Sequence, residues 1–147
     1  MTIIELNEEQ VEIIEDGLSA YDDGFIQTKL DGTIQLGILE NGELIAGLDA
    51  CTTAFRILYV STVFVKESHR RKGYGKALIR FVADTYRGKF QILQVGTGDS
   101  PLTVPFYEKC GFVRSHYIKN FFTDNYDHPI FECGVQLVDM VYLRQML

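Results

Sequence analysis

The chain has 147 residues, 46% of them hydrophobic and 23% charged, enough for one globular domain (residues 1–147) around a sizeable core. A net charge of −6 and a pI near 5.0 argue against a general nucleic-acid partner, and no run of roughly 18 apolar residues offers a membrane span. Three cysteines (Cys51, Cys110 and Cys133) form an odd set without metal-ligand spacing, and the N-terminus MTIIELNEEQ does not read as a signal peptide. A reduced, cytoplasmic protein without a metal site or a membrane partner is the expectation.

In chain order, Ile3, Ile4 and Leu6 suggest a short first strand. Asn7 with Gln10 resembles a capping box, and Val11, Ile14, Leu18 and Tyr21 recur at helical spacing. That helix loosens near Gly17 or Asp22-Asp23-Gly24, and a loop or short helix follows. Ile34, Leu36 and Ile38 open a meander, and Asn41-Gly42 is a strong two-residue hairpin signal because both positions tolerate positive φ. A third strand carries Leu44, Ala46, Leu48 and Ala50, and residues 55–65 read as a long fourth strand. Leu78, Phe81 and Val82 then mark one helical face, and residues 90–95 a short buried strand. Strand, helix and strand make a crossover, which implies parallel pairing. After Gly96-Thr97-Gly98, a short helix is predicted over 104–110, ended by Gly111. A sixth strand over 112–119, a loop over 120–134 and a final strand over 135–143 complete the chain. The fold class is α/β: antiparallel N-terminal strands, a central parallel pair and flanking helices.

The stretch VFVKESHRRKGYGK, residues 63–76, combines an apolar strand, a basic turn with two glycines, and a helix start. Backbone N–H groups at a helix N-terminus lack intrahelical partners, and the helix dipole adds partial positive charge there. Gly73 and Gly75 allow close approach of an anion, and Arg70, Arg71, Lys72 and Lys76 surround it with charge. In an acidic chain, such a cluster serves a compact anion such as a pyrophosphate. The P-loop pattern is absent, and Leu78 breaks the dinucleotide-binding glycine pattern.

Two motifs together resemble the GNAT N-acetyltransferase superfamily. Its phosphate loop, Gln/Arg-x-x-Gly-x-Gly/Ala, appears as Arg70-Arg71-Lys72-Gly73-Tyr74-Gly75, and a later aromatic motif appears as Phe106-Tyr107-Glu108-Lys109-Cys110-Gly111-Phe112. The resemblance implies a GNAT-like mixed sheet and transfer of an acetyl group from acetyl-CoA to an amine. It places the pantetheine arm against the backbone of Val63, Phe64 and Val65, in a splay between the fourth and fifth strands. The pyrophosphate falls to the amides around Arg71, Lys72, Gly73, Tyr74, Gly75 and Lys76, with Arg70 beside them. Backbone amides near Phe64-Val65 are implied as the oxyanion site. Tyr107 is implied as the acid that protonates the leaving thiolate, a role that suits a side chain with a pKa of about 10. The sequence departs from the family pattern at Glu67 and Ser100, where a proline and an asparagine are common, and at Pro105 beside the aromatic pair.

An alkylamine is mostly ammonium at pH 7, so exposing its neutral form costs about 4.6 kcal/mol and some acceptor must take the proton. The strand 59–65 offers no carboxylate. Asp49, Asp99, Glu108 and Asp139 compete with His69, His116, His128 and a water chain, and no base is assigned. Asp124, Asp127 and Glu132 of the 120–134 loop, with Asp22 and Asp23, are placed to attract a cationic amine if the loop borders the acceptor site. A small-molecule amine is the expected acceptor. A peptide or protein amine, or a non-catalytic acyl-CoA-binding module, are the alternatives. The apolar final strand offers pairing to a second copy, as in a homodimer.

Overall fold

Residues 2–6 and 33–147 are described by the structure, a computed structural model. The expected N-terminal helix and the pair Asp22 and Asp23 lie outside the described residues. Strand β1 (Ile3–Glu5) pairs with β2 (Ile34–Glu40), and β2 turns into β3 (Glu43–Ala54). The turn is the one the sequence predicts: Asn41 and Gly42 take φ of 52° and 80°, the mirror-image geometry that matches strand twist. A second reversal at Phe55-Arg56, with Arg56 at φ 58°, starts β4 (Ile57–Val65) two residues later than expected.

A short turn at Glu67–His69 leads to α1 (Tyr74–Tyr86), which buries Leu78, Ile79, Val82 and Ala83 on the sheet. Strand β5 (Ile92–Gly98) is followed by α2 (Thr103–Lys109), which buries Val104 and Tyr107. The side chain of Ser100 explains where α2 begins, because its Oγ accepts hydrogen bonds from the backbone N–H of Leu102 and of Thr103, both at 3.3 Å. A capping hydroxyl followed by proline is a helix-start signal, and Ser100-Pro101 supplies it. Gly111, at φ 96°, ends the helix as predicted.

Strand β6 (Val113–Ile118) and the short helix α3 (Phe121–Asn125) come next, then the hairpin β7 (Phe131–Glu132) and β8 (Val135–Gln136), and finally β9 (Met140–Met146). Among the described residues the main sheet has seven strands in the order β1-β2-β3-β4-β5-β9-β6, antiparallel except for β4 beside β5. Two expectations are corrected here. The segment 120–134 is not a plain loop, since its aromatics build α3 and its Cys133-Gly134 turn, both residues at positive φ, closes a hairpin. The final strand starts at Met140 rather than 135, because Val135 and Gln136 are taken by that hairpin.

Cross-strand register assigns the faces. Ile38, Ala46 and Val65 align, as do Leu36, Leu48 and Val63, on the face that packs against α1. Gln35, Asp49 and Thr62, together with Gly37, Gly47 and Phe64, occupy the opposite face. No helix among the described residues is long and apolar enough to cross a membrane.

Candidate active site

Strands β4 and β5 pair only from Ile57↔Ile92 to Val60↔Val95. Beyond that point β4 continues to Val65 along β3, β5 continues to Gly98 along β9, and the two strands no longer pair with each other. A β-bulge marks the parting: Asp49 opposes Thr62 while Ala50 opposes Val60, so Ser61 is the extra residue. A bulge bends its strand and increases its twist, which turns the end of β4 away from β5. Ser61 Oγ fixes it by donating to the Asp49 carbonyl at 3.2 Å.

The direction of the free backbone groups follows from the ladder. Lys66 N–H donates to the Ile45 carbonyl at 2.7 Å, so in the alternating antiparallel pattern Lys66, Phe64 and Thr62 bond to β3. The N–H and C=O groups of Val63 and Val65 therefore point away from β3, into the opening. The Val65 carbonyl lies there and accepts from Arg70 Nε at 3.1 Å. Opposite stands the glycine-rich end of β5. The sequence reads residues 96–98 as following the strand, but β9 pairs along them (Gly96↔Tyr142, Thr97↔Val141, Gly98↔Met140) and makes them its last three residues.

At the helix side of the opening, Arg71 (φ 64°) and Gly73 (φ 87°) curl the chain into α1. The first helical bond runs from Ala77 N–H to the Gly73 carbonyl, leaving the amides of Tyr74, Gly75 and Lys76 without intrahelical acceptors. Arg70, Arg71, Lys72 and Lys76 are exposed around them, and a groove along α1 adds Arg80, with Arg87 there paired to Asp84 at 3.2 Å. Free helix-start amides and exposed basic side chains thus share this corner of the opening. Gly75 also has a packing part. A Cβ there would lie 3.0 Å from Phe106 Cζ and 3.5 Å from Val65 Cγ2, so Gly75 lets α1, α2 and β4 approach one another. Gly73, with nothing within 4 Å, is the residue that serves the turn.

Glu40, which the sequence reading did not single out, braces this turn from the β2–β3 hairpin. One oxygen lies 3.1 Å from His69 Nε2, and the other accepts from the Tyr74 hydroxyl at 3.3 Å. The His69 hydrogen bond is the main reason that the Glu40 carboxyl sits below its ordinary pKa. No motif could have pointed to it, since its partners are 29 and 34 residues away.

Tyr107 is buried on α2, edge-on to Phe106 at 5.1 Å and to Phe112 at 5.7 Å between ring centres. Burial pushes its hydroxyl well above the ordinary tyrosine value, with smaller contributions from Tyr59, Cys110 and Glu132. Its neighbourhood thus holds it neutral across the physiological range, the state an acid requires. On the opposite sheet face, Tyr59 leans over Gly96, where an added Cβ would lie 2.8 Å from the Tyr59 hydroxyl and 2.9 Å from Tyr142 Cε1. Burial raises Tyr59 to about 12, against a hydrogen bond from the Gly96 backbone that lowers it. The folded protein keeps this phenolic proton to higher pH than the unfolded chain does. The resulting stability is complete below pH 10 and is lost as pH rises towards about 12, a loss of roughly 3 kcal/mol. Denaturant titrations from pH 9 to 12 should show it, and Tyr59→Phe should flatten that decline.

The base candidates separate clearly. Asp99 pairs with Arg114 at 3.3 Å, Asp139 accepts from the Asn120 N–H at 2.9 Å, and Glu108 is exposed on α2. His69 is held by Glu40, His128 pairs with exposed Asp127, and His116 stacks on Tyr142 with centroids 4.6 Å apart. Asp49 is buried at 4% exposure beside Thr62 in the sheet, and after burial it is the second cause that raises the Cys51 thiol. Of the loop acids, Asp124 and Asp127 are exposed, whereas Glu132 is half-buried and accepts from Ser100 Oγ at 2.5 Å. The 120–137 segment also encloses a cleft of about 220 Å³ beside Phe122, Tyr126 and Leu137. Leu137 lies directly over Gly98, where a Cβ would come within 2.8 Å of its methyl groups.

A sheet that parts beside a bulge, with free helix-start amides and basic side chains on one side and a buried tyrosine on the other, defines an acyl-CoA-binding acetyltransferase architecture. The model of the GNAT acetyltransferase family matches residues 3–112, and the chain belongs to that family, whose members use acetyl-CoA as acetyl donor. Among curated proteins, it is 37% identical over 93 residues to an uncharacterized N-acetyltransferase, YvbK, of Bacillus subtilis. That match covers 57% of this chain and only 56% of the relative's length. Among solved structures, it is similar to an IAA acetyltransferase from Bacillus cereus, with a TM-score of 0.85, 26% identity and 99% of each chain covered. A GNAT acetyltransferase from Elizabethkingia anophelis with acetyl-CoA bound aligns with a TM-score of 0.79 and 25% identity, over 99% of this chain and 97% of that one. A Bacillus subtilis acetyltransferase in complex with CoA gives a TM-score of 0.79 and 27% identity over the same shares.

Proposed function

We propose that this chain transfers an acetyl group from acetyl-CoA to the amine of a small molecule. The observation that carries the reading is the opening between β4 and β5, with the gap-facing backbone of Val63 and Val65, the Arg70–Lys76 cradle and Tyr107 on its helix side. The pantetheine arm adds to β4 as a short strand would, bonded to Val63 and Val65. Its pyrophosphate takes the free amides of Tyr74, Gly75 and Lys76, and the arginines and lysines supplement them. With the Phe64 N–H bonded to β3, the gap-facing Val65 N–H is the amide at the end of β4 that stabilises the oxyanion. The amine nitrogen, once neutral, attacks the thioester carbon. As the C–S bond breaks, the sulfur takes the Tyr107 proton, and the proton shed by the attacking nitrogen restores the tyrosine.

A small acceptor is favoured by the segment 120–137, whose Leu137 covers Gly98 at the end of β5 and so narrows that side of the opening. The similarity to a protein described as an IAA acetyltransferase also favours a small molecule. Thiol release from acetyl-CoA over a panel of small amines and short peptides tests the reading. Turnover confined to small amines supports it. Tight acetyl-CoA binding without turnover on any acceptor points instead to a sensing module, and turnover on peptides alone to a peptide acetyltransferase.

A further inference from the structure

The acidic residues of the 120–134 segment look alike in the sequence, but the fold treats them differently. Asp124 is exposed on α3, and Asp127 is exposed with its own His128 as partner. Glu132 is drawn inward by the β7–β8 hairpin and held by Ser100, itself only 3% exposed. Ser100 is in turn fixed: its N–H donates to the Gly98 carbonyl at 2.8 Å, and its hydroxyl meets Thr103 Oγ1 at 3.2 Å. Thr103 also receives the Thr97 hydroxyl at 2.8 Å. Glu132 is thus tied to the end of β5 that forms one wall of the opening, where β4 and β5 are unpaired and α2 begins. Its charge is felt by the Tyr107 hydroxyl. Ser100 donates to one of its oxygens, and a carboxylate has capacity for further donors.

We propose that Glu132, oriented by Ser100, is the carboxylate that binds the ammonium group of the acceptor at the mouth of the β4–β5 opening. The inference rests on the acceptor being a cationic amine, as under the proposed function. Ser100 removes the rotational freedom of the carboxylate, so it meets the ammonium without an ordering cost. A charge-assisted hydrogen bond of this kind is specific for cations and indifferent to a neutral nucleophile of the same size.

The test compares ethylamine and spermidine, both cationic at neutral pH, with hydroxylamine, which is uncharged. Glu132→Gln is the variant of choice because the amide keeps the volume and still accepts from Ser100. KM for the alkylamines should rise roughly 10- to 100-fold, with KM for acetyl-CoA and the hydroxylamine reaction changing less than about twofold. Glu132→Asp, which keeps the charge but shortens the reach, should fall between. Equal losses with charged and neutral acceptors would reduce Glu132 to a structural role and overturn the proposal. So would unchanged alkylamine kinetics, or a wild-type protein that acetylates hydroxylamine alone. A wild-type protein inactive on all three and on the wider amine panel would instead remove the acetyltransferase reading itself, and this inference with it.

Discussion

Replacing Tyr107 with phenylalanine should lower kcat by roughly 10²- to 10³-fold while leaving KM for acetyl-CoA within about twofold. The ring is held by Phe106 and Phe112, and phenylalanine fits the same contacts, so only the hydroxyl is removed. Thiolate is a poorer leaving group without a proton donor, and burial keeps the Tyr107 hydroxyl protonated above the ordinary tyrosine range. The same shift has a sign that can be checked. A raised pKa extends the acid's working form upward in pH, so the wild-type rate should show no alkaline loss from this group through pH 10. Steady-state kinetics over pH 6–10 on wild type and Tyr107→Phe measure both effects. An unaltered kcat would remove Tyr107 from the chemistry.

The opposite kinetic split should follow from Gly73→Val. Gly73 sits at φ 87° with open space around it, so a valine there clashes with nothing but must adopt a conformation that β-branched residues avoid. The cost of about 1–2 kcal/mol falls on the turn that presents the free amides of Tyr74, Gly75 and Lys76. Acetyl-CoA affinity should therefore drop about 5- to 30-fold, with kcat at saturating cosubstrate nearly unchanged. Calorimetric titration with CoA gives the affinity directly. Gly73→Asn is the control, because asparagine tolerates the left-handed region and should restore much of the binding.

Local chemistry made much of this legible in the sequence. The Asn41-Gly42 turn, the helix stop at Gly111 and the glycine turn into α1 each depend on residues within a few positions. The crossover between β4 and β5 followed from the alternation of strand and helix patterns. What escaped depends on distant partners. Gly96-Thr97-Gly98 has turn composition, and only β9, more than forty residues later, makes it strand. The bulge at Ser61 carries no local mark, because it records a register between β3 and β4. The packing demand on Gly75 comes from Phe106 on another helix, which no local pattern shows. Glu40 was hidden, and nothing local set Glu132 apart from Asp124 and Asp127, since each gains its place from a hydrogen bond across the fold. Ser100-Pro101 was the one signal available and unread: a capping hydroxyl before proline marked the start of α2.

The central claim is that the parting of β4 and β5 receives the pantetheine arm through the backbone of Val63 and Val65. Residue-resolved amide hydrogen exchange with and without CoA tests it most directly. Thr62 and Phe64, already bonded to β3, should exchange slowly in both states. Val63 and Val65 should exchange faster in the free protein and gain strong protection when CoA binds. Protection that leaves Val63 and Val65 unchanged while CoA is bound would contradict the account.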